Sequence, residues 1–278
     1  MSVTIVKSKG EKVHFNPDKI RQALIRAGAR PETIKHVIDR VTAKVKEGMT
    51  TRVVYRIVGS ELRKEDRCIA HRYNLRKGLL KLGPAGFIFE KYVASILEAY
   101  GYDAVVPKDE IKGACVVHEV DGIAKRNKSI VLIEAKFRNK FEDTVTLKDA
   151  MSTWARYQDL QAGAKKGFCP AFNEVWIVTN GQFSDRAQQF SDCKGLRTVG
   201  WNSKVHSLAK MVDHEALYPI TVLDELKQWE LDAFTDHGYL LCRQVAKKDP
   251  ILLAKSIGIP QQQATRIVRD CKDIVRVK

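Results

Sequence analysis

Residues 120–137 read VDGIAKRNKSIVLIEAKF. The apolar run at 129–133 ends in Glu134, Ala135 and Lys136, with Asp121 upstream. Side chains alternate faces along a strand, so Glu134 and Lys136 point the same way. KRNK at 125–128 predicts a hairpin turn, and folding there sets Asp121 opposite Leu132 to Glu134. Three charged groups then meet at one end of a strand pair. Two carboxylates sharing a site repel one another unless a cation lies between them, and hard oxygen ligands select Mg²⁺ or Mn²⁺. An ammonium beside them orients or helps deprotonate a water and stabilises negative charge developing on a phosphate. Phosphodiester hydrolysis is the chemistry that suits the set. By spacing alone, a surface hairpin with Lys136 paired to one carboxylate reads equally well.

Outward from this stretch, 278 residues with a hydrophobic fraction of 44% are enough for two or three domains with real cores. No apolar run approaches the length of a membrane span, and MSVTIVKSKG lacks a secretory signal. A cytoplasmic location without membrane attachment is expected. The six cysteines show no CxxC pair or zinc-like spacing and read as reduced thiols. The net charge of +15 favours a polyanionic partner. Its surplus is N-terminal: residues 1–80 hold 19 Lys and Arg against 8 Asp and Glu. Either phosphate binding or a solvated basic face accounts for that bias.

Three segments follow, at 1–82, 83–215 and 216–278, and they predict a multidomain chain. In the first, VTIVK and KVHF predict a β-hairpin. Asn16 as N-cap, Pro17 at the first helical position and Gly28 beyond the end predict a helix, and about three more follow. KLGPAG at 81–86 marks a boundary. The central segment alternates helices and strands, an α/β domain with a mixed sheet. The last segment is small and all-α, in four short helices.

VDG, followed twelve residues after its Asp by EAK, resembles the PD-(D/E)XK nuclease superfamily and, more narrowly, the Mrr-like restriction endonucleases. The resemblance covers about residues 84–212 and includes GFIFEKYVASILEAYGYDA and VTNGQFSDRAQQFS. It implies a restriction-endonuclease-like fold and a Mg²⁺-dependent (or Mn²⁺-dependent) DNA endonuclease of restriction or DNA-processing type. Asp121 and Glu134 would bind metal with the Ala135 carbonyl, Lys136 would assist the water, and Glu90 would support metal or water. Gln158 or Gln161 matches a Gln found in some relatives. His118 reads as packed or partner-facing, and Trp154 with Tyr157 as core. A homodimer is the simplest way to cut both strands. A repair or junction-resolving nuclease, or a DNA-binding regulator whose nuclease fold has lost catalysis, fits the same residues.

Residues 3–80 resemble the ATP-cone, a regulatory nucleotide-binding domain, through VTIVKSKGEKVHFNPDKIRQALIRAG, MTTRVVYRIV and AHRYNLRKG. The resemblance implies ATP or dATP as effector and carries Lys7, Lys9, Lys19, Thr51, Tyr55 and Lys77 toward phosphate, ribose or base. The first turn, Lys7 to Gly10, departs from the usual pattern. No GxxxxGK[ST] loop occurs. PILLAKSIGIPQQQATRIVRDCKDI resembles a helix-hairpin-helix, in which Gly258 would let a tight turn present amides to a DNA phosphate.

Overall fold

The computed structural model describes residues 3–7, 10–83, 87–140 and 142–276. They form two compact units: residues 1–78 with 216–278, and residues 79–215. The three sequence segments therefore make two bodies, because the C-terminal helices pack with the N-terminal ones.

The first unit opens with an antiparallel hairpin, β1 (Thr4–Val6) and β2 (Lys12–His14). Five helices follow: α1 (Pro17–Arg26), α2 (Pro31–Lys44), α3 (Thr51–Glu65), α4 (Arg67–Tyr73) and α5 (Leu75–Leu80). The Asn16 carboxamide accepts the Asp18 N–H at 2.8 Å, and Pro17 fixes φ at the start of α1. Leu24, Val37, Val41, Val58 and Leu62 make the core. One helix more than expected arises because CIAHRYNLRKGLLKLG breaks at Asn74. That side chain receives the Tyr55 hydroxyl and donates to Asp224.

The second unit begins with α6 (Phe87–Ala99) and β3 (Asp103–Val105), then a small hairpin of β4 (Ile111–Lys112) and β5 (Val117–His118). β6 (Gly122–Arg126) and β7 (Ser129–Lys136) form the antiparallel pair around a two-residue turn, with Asn127 at φ 56°. After β8 (Thr144–Val145) come α7 (Leu147–Lys165), β9 (Glu174–Thr179), β10 (Gln182–Phe183), α8 (Asp185–Lys194), β11 (Arg197–Val199) and α9 (Leu208–His214). The sheet order is β11-β9-β7-β6-β3, with β7, β9 and β11 parallel and β6 and β3 antiparallel. This is the mixed α/β sheet the sequence predicts. Leu132, Val175 and Ile177 of the sheet pack with Ala150 and Leu160 of α7 and Ala187 of α8. The stretch ACVVHEVDGIAKR forms two strands, because residues 119–121 leave the ladder between β5 and β6.

The chain then returns to the first unit through a short 3₁₀ turn (Ile220–Val222), α10 (Gln228–Asp236), α11 (Cys242–Val245), α12 (Pro250–Ile257) and α13 (Gln261–Arg276). Gly258 ends α12 at φ 78°, where a side chain would be strained. The return is fastened by polar contacts: Arg72 Nε donates to the Tyr218 hydroxyl at 2.7 Å, and Thr221 Oγ1 to the Gly78 carbonyl at 2.7 Å. A Cβ on Gly78 would lie 2.9 Å from Val222 Cγ1 and 3.1 Å from its Cα. All six cysteines are unpaired. Among the described residues no helix is long and apolar enough to cross a membrane.

Candidate active site

Gly122 pairs with Ile133, so Asp121, one step beyond the ladder, lies across from Glu134. Its Oδ2 accepts the Ala135 N–H at 2.7 Å. That bond explains why the chain leaves the strand at Asp121: the carboxylate takes the place of a ladder carbonyl. The N–H and C=O of one strand residue share an edge, so the Ala135 carbonyl faces the Asp121 side. Glu134 is 3% exposed, and its two carboxylate oxygens form ion pairs with Lys136 and with Arg156 of α7. Glu90, in the first turn of α6, feels Asp121, Glu119 and Glu134.

Charge is out of balance here. Burial, with the negative charges of Asp121, Glu119 and Glu134, pushes the Glu90 carboxyl up to about 7. Burial and Glu134 push Asp121 up to about 6, although the Ala135 N–H, Lys136 and Arg156 pull the other way. Four acidic groups thus converge on two cations, and two of them hold their protons unusually tightly. Hard oxygens and excess negative charge fit a divalent cation such as Mg²⁺ or Mn²⁺. Glu134 must release at least one oxygen from its ion pairs to serve as a ligand. Glu90, Asp121 and Glu134 are not drawn together as tightly as His71, Asp224 and Glu225, whose ligand atoms lie within 4.8 Å of one another among the described residues.

The structure thus brings together Glu90, Asp121, Glu134 and Lys136, and adds two residues that the sequence reading missed. Arg156, half-buried on α7 beside the buried Thr153 and Leu160, meets Glu134 across the helix–sheet packing, which no local sequence signal gives. Glu119, two residues before Asp121, carried no signal. Gln161 is elsewhere: its amide donates to the Tyr157 hydroxyl and the Phe172 carbonyl, both at 2.7 Å. His118 is held by Asp159 at 2.8 Å on the separate β4–β5 hairpin. Trp154 and Tyr157 pack against the core with ring centroids 5.6 Å apart.

In the first unit, the Tyr55 hydroxyl donates to the Tyr73 carbonyl at 3.1 Å and to Asn74 at 3.3 Å, and its ring stacks on Tyr73 at 4.8 Å. Burial, then Asp224, raises the Tyr55 hydroxyl's pKa. Lys77 lies 3.5 Å from Asp224, which Arg63 also meets at 2.7 Å. Tyr55 and Lys77 are therefore linked through Asn74 and Asp224. Lys7 pairs with Glu11 at 2.9 Å, and Lys19 and Thr51 are exposed. Lys9 lies outside the described residues. Several N-terminal cations are paired internally: Lys44 and Lys64 meet Glu61, Arg40 meets Glu65, and Arg67 meets Glu225 and Asp270.

Residues 3–77 match the ATP cone domain, and residues 218–275 match the family described as AF1548-like, C-terminal. The ATP cone marks nucleotide-responsive regulation. An uncharacterized protein of Archaeoglobus fulgidus is 30% identical over 184 residues, which span 66% of this chain and 99% of that protein. A solved structure titled "Crystal Structure of Protein of Unknown Function AF1548" superposes with a TM-score of 0.58 at 29% identity, over 68% of this chain and 98% of the other. These descriptions name no activity. The chain belongs to the family of this Archaeoglobus fulgidus protein, and it carries both an ATP cone domain and an AF1548-like C-terminal domain.

Proposed function

We propose that the second unit is a metal-dependent DNA endonuclease of the PD-(D/E)XK type, close to the Mrr-like enzymes, and that ATP or dATP bound to the ATP cone regulates it. The carrying observation is the convergence of Glu90, Asp121, Glu134 and Lys136 at one end of the β6–β7 pair, with two carboxyls raised toward neutrality. Asp121 and Glu134, with the Ala135 carbonyl, would hold Mg²⁺ or Mn²⁺. Such a cation, when bound, supplies Lewis acidity and makes water a better nucleophile at neutral pH. Lys136 orients that water and places positive charge where the phosphate becomes more negative. Glu90 takes up a proton near neutral pH. Arg156 pairs with Glu134, a role that a bound cation would share.

The mixed sheet order and the helix that precedes it support the reading. Lys7, Lys9, Lys19, Thr51, Tyr55 and Lys77 remain the proposed nucleotide contacts, and a homodimer would cut both strands. A second reading has its own support: both oxygens of Glu134 are engaged by cations, as expected of a nuclease fold retained as a nucleotide-responsive DNA-binding regulator. Supercoiled plasmid incubated with Mg²⁺, with and without ATP or dATP, separates the two. Nicked or linear product supports the enzyme; binding without product supports the regulator.

A further inference from the structure

A cleft of about 590 Å³ opens in the AF1548-like domain, lined by Gly238, Tyr239, Arg243, Gln244, Lys247 and Lys248. We propose that it binds the phosphate backbone of DNA through Arg243, Lys247 and Lys248. This rests on the reading of the chain as a DNA-acting protein and names the surface that holds the substrate.

No acidic side chain lines the cleft. Among the described residues none of its three cations forms an ion pair, whereas Lys44, Arg63, Lys64 and Arg67 of the same unit are each tied to a carboxylate. Residues 216–278 are nearly neutral, with 10 Lys and Arg against 8 Asp and Glu, so the local excess is not a by-product of a basic segment. The adjacent Asp249 is committed elsewhere: its carboxylate accepts the Ile251 and Leu252 N–H groups at 2.8 and 3.0 Å and caps α12. Three unpaired cations around one concavity repel each other, and a polyanion relieves that cost.

The wall of the cleft favours phosphate over base. Lys248 Nζ sits 5.0 Å from the Tyr239 ring centroid, while His237 stacks on that ring at 6.4 Å and Phe234 meets it edge-on at 6.3 Å. Tyr239 therefore steadies a lysine and is not a free stacking platform. Gln244 Oε1 accepts the Leu241 N–H at 2.8 Å, which leaves its amide NH₂ to donate. Gly238 has nothing within 4 Å of where a Cβ would be, so a strand can approach its backbone. Donors and point charges without a base-reading group imply binding indifferent to sequence.

The test uses full-length protein in EDTA and a labelled duplex, read by fluorescence anisotropy over a range of salt. A triple variant, Arg243→Glu with Lys247→Glu and Lys248→Glu, is compared with a control of equal charge change, Lys35→Glu with Lys108→Glu and Lys128→Glu. Circular dichroism confirms that each folds. The cleft variant should lose at least tenfold in affinity and flatten the dependence of log K on log salt by about 2 to 3, while the control loses much less. Equal losses in the two variants, or none in the first, would overturn the cleft assignment. Cleavage with Mg²⁺ is scored separately on wild type, so a functional cleft without cleavage sinks only the nuclease reading. Cleavage with an indifferent cleft variant sinks only this one.

Discussion

The guanidinium of Arg156, on α7, forms an ion pair with the buried carboxylate of Glu134, on β7, while Lys136 meets the other oxygen of the same group. Both oxygens of Glu134 are thereby engaged by cations inside the unit. A divalent cation at Asp121 and Glu134 would take over the neutralising role and loosen the pair.

Arg156→Met should therefore destabilise the cation-free protein. Breaking a buried ion pair costs about 3–5 kcal/mol, and because Lys136 remains, about 1–3 kcal/mol is expected. Added Mn²⁺ should recover most of it. Melting curves of wild type and variant in EDTA and in Mn²⁺ check this; a deficit of the same size in both buffers would show that Arg156 only supports packing.

Glu90 and Asp121 both bind their protons more tightly in the folded protein than in the unfolded chain, so stability falls as pH rises from about 4 to about 7. Glu90→Gln with Asp121→Asn should therefore melt higher than wild type at pH 8 in EDTA and no higher near pH 4. Cation binding must displace these protons, so Mn²⁺ affinity of the wild type should strengthen from about pH 5 to about pH 8. Titration calorimetry at several pH values measures that slope; a flat profile would detach the cation from these carboxyls.

The strand pair was legible in the sequence because its register follows from a two-residue turn, and Asp121 falls opposite Glu134 once KRNK is read as that turn. Asn16, Pro17 and Gly28 located α1 for equally local reasons. What the sequence hid is long-range. Arg156 reaches Glu134 only because α7 docks on the sheet. The helices at 216–278 join the ATP cone through pairs such as Arg72 with Tyr218, 146 residues apart. The N-terminal basic surplus suggested phosphate sites, and part of it is met by Asp224, Glu225 and Asp270 from residues 216–278.

Gly78→Ala tests that joint. The added Cβ would press on the backbone of Val222, which cannot swing aside as a side-chain tip can. A loss of about 1–3 kcal/mol is expected, read as a lower denaturant midpoint. An unchanged midpoint would mean the C-terminal helices do not pack on the ATP cone in this way.

Asp224 holds Lys77 and Arg63, and Lys77 is among the proposed nucleotide contacts. Asp224→Asn should release Lys77 and raise ATP or dATP affinity severalfold in calorimetry. If nucleotide binds equally well to both proteins, Lys77 is a structural cation and the phosphates are held elsewhere.

The most direct measurement is single-turnover cleavage of supercoiled plasmid in Mg²⁺, with ATP or dATP present and absent, by wild type, Asp121→Ala, Glu134→Ala and Lys136→Ala. Wild type should cut. Asp121→Ala and Glu134→Ala should be inactive while binding DNA with near-normal affinity, and Lys136→Ala should bind cation but cut slowly. Absence of cutting by wild type under every nucleotide condition, or cutting by Asp121→Ala at the wild-type rate, would contradict the assignment of this cluster as a nuclease site.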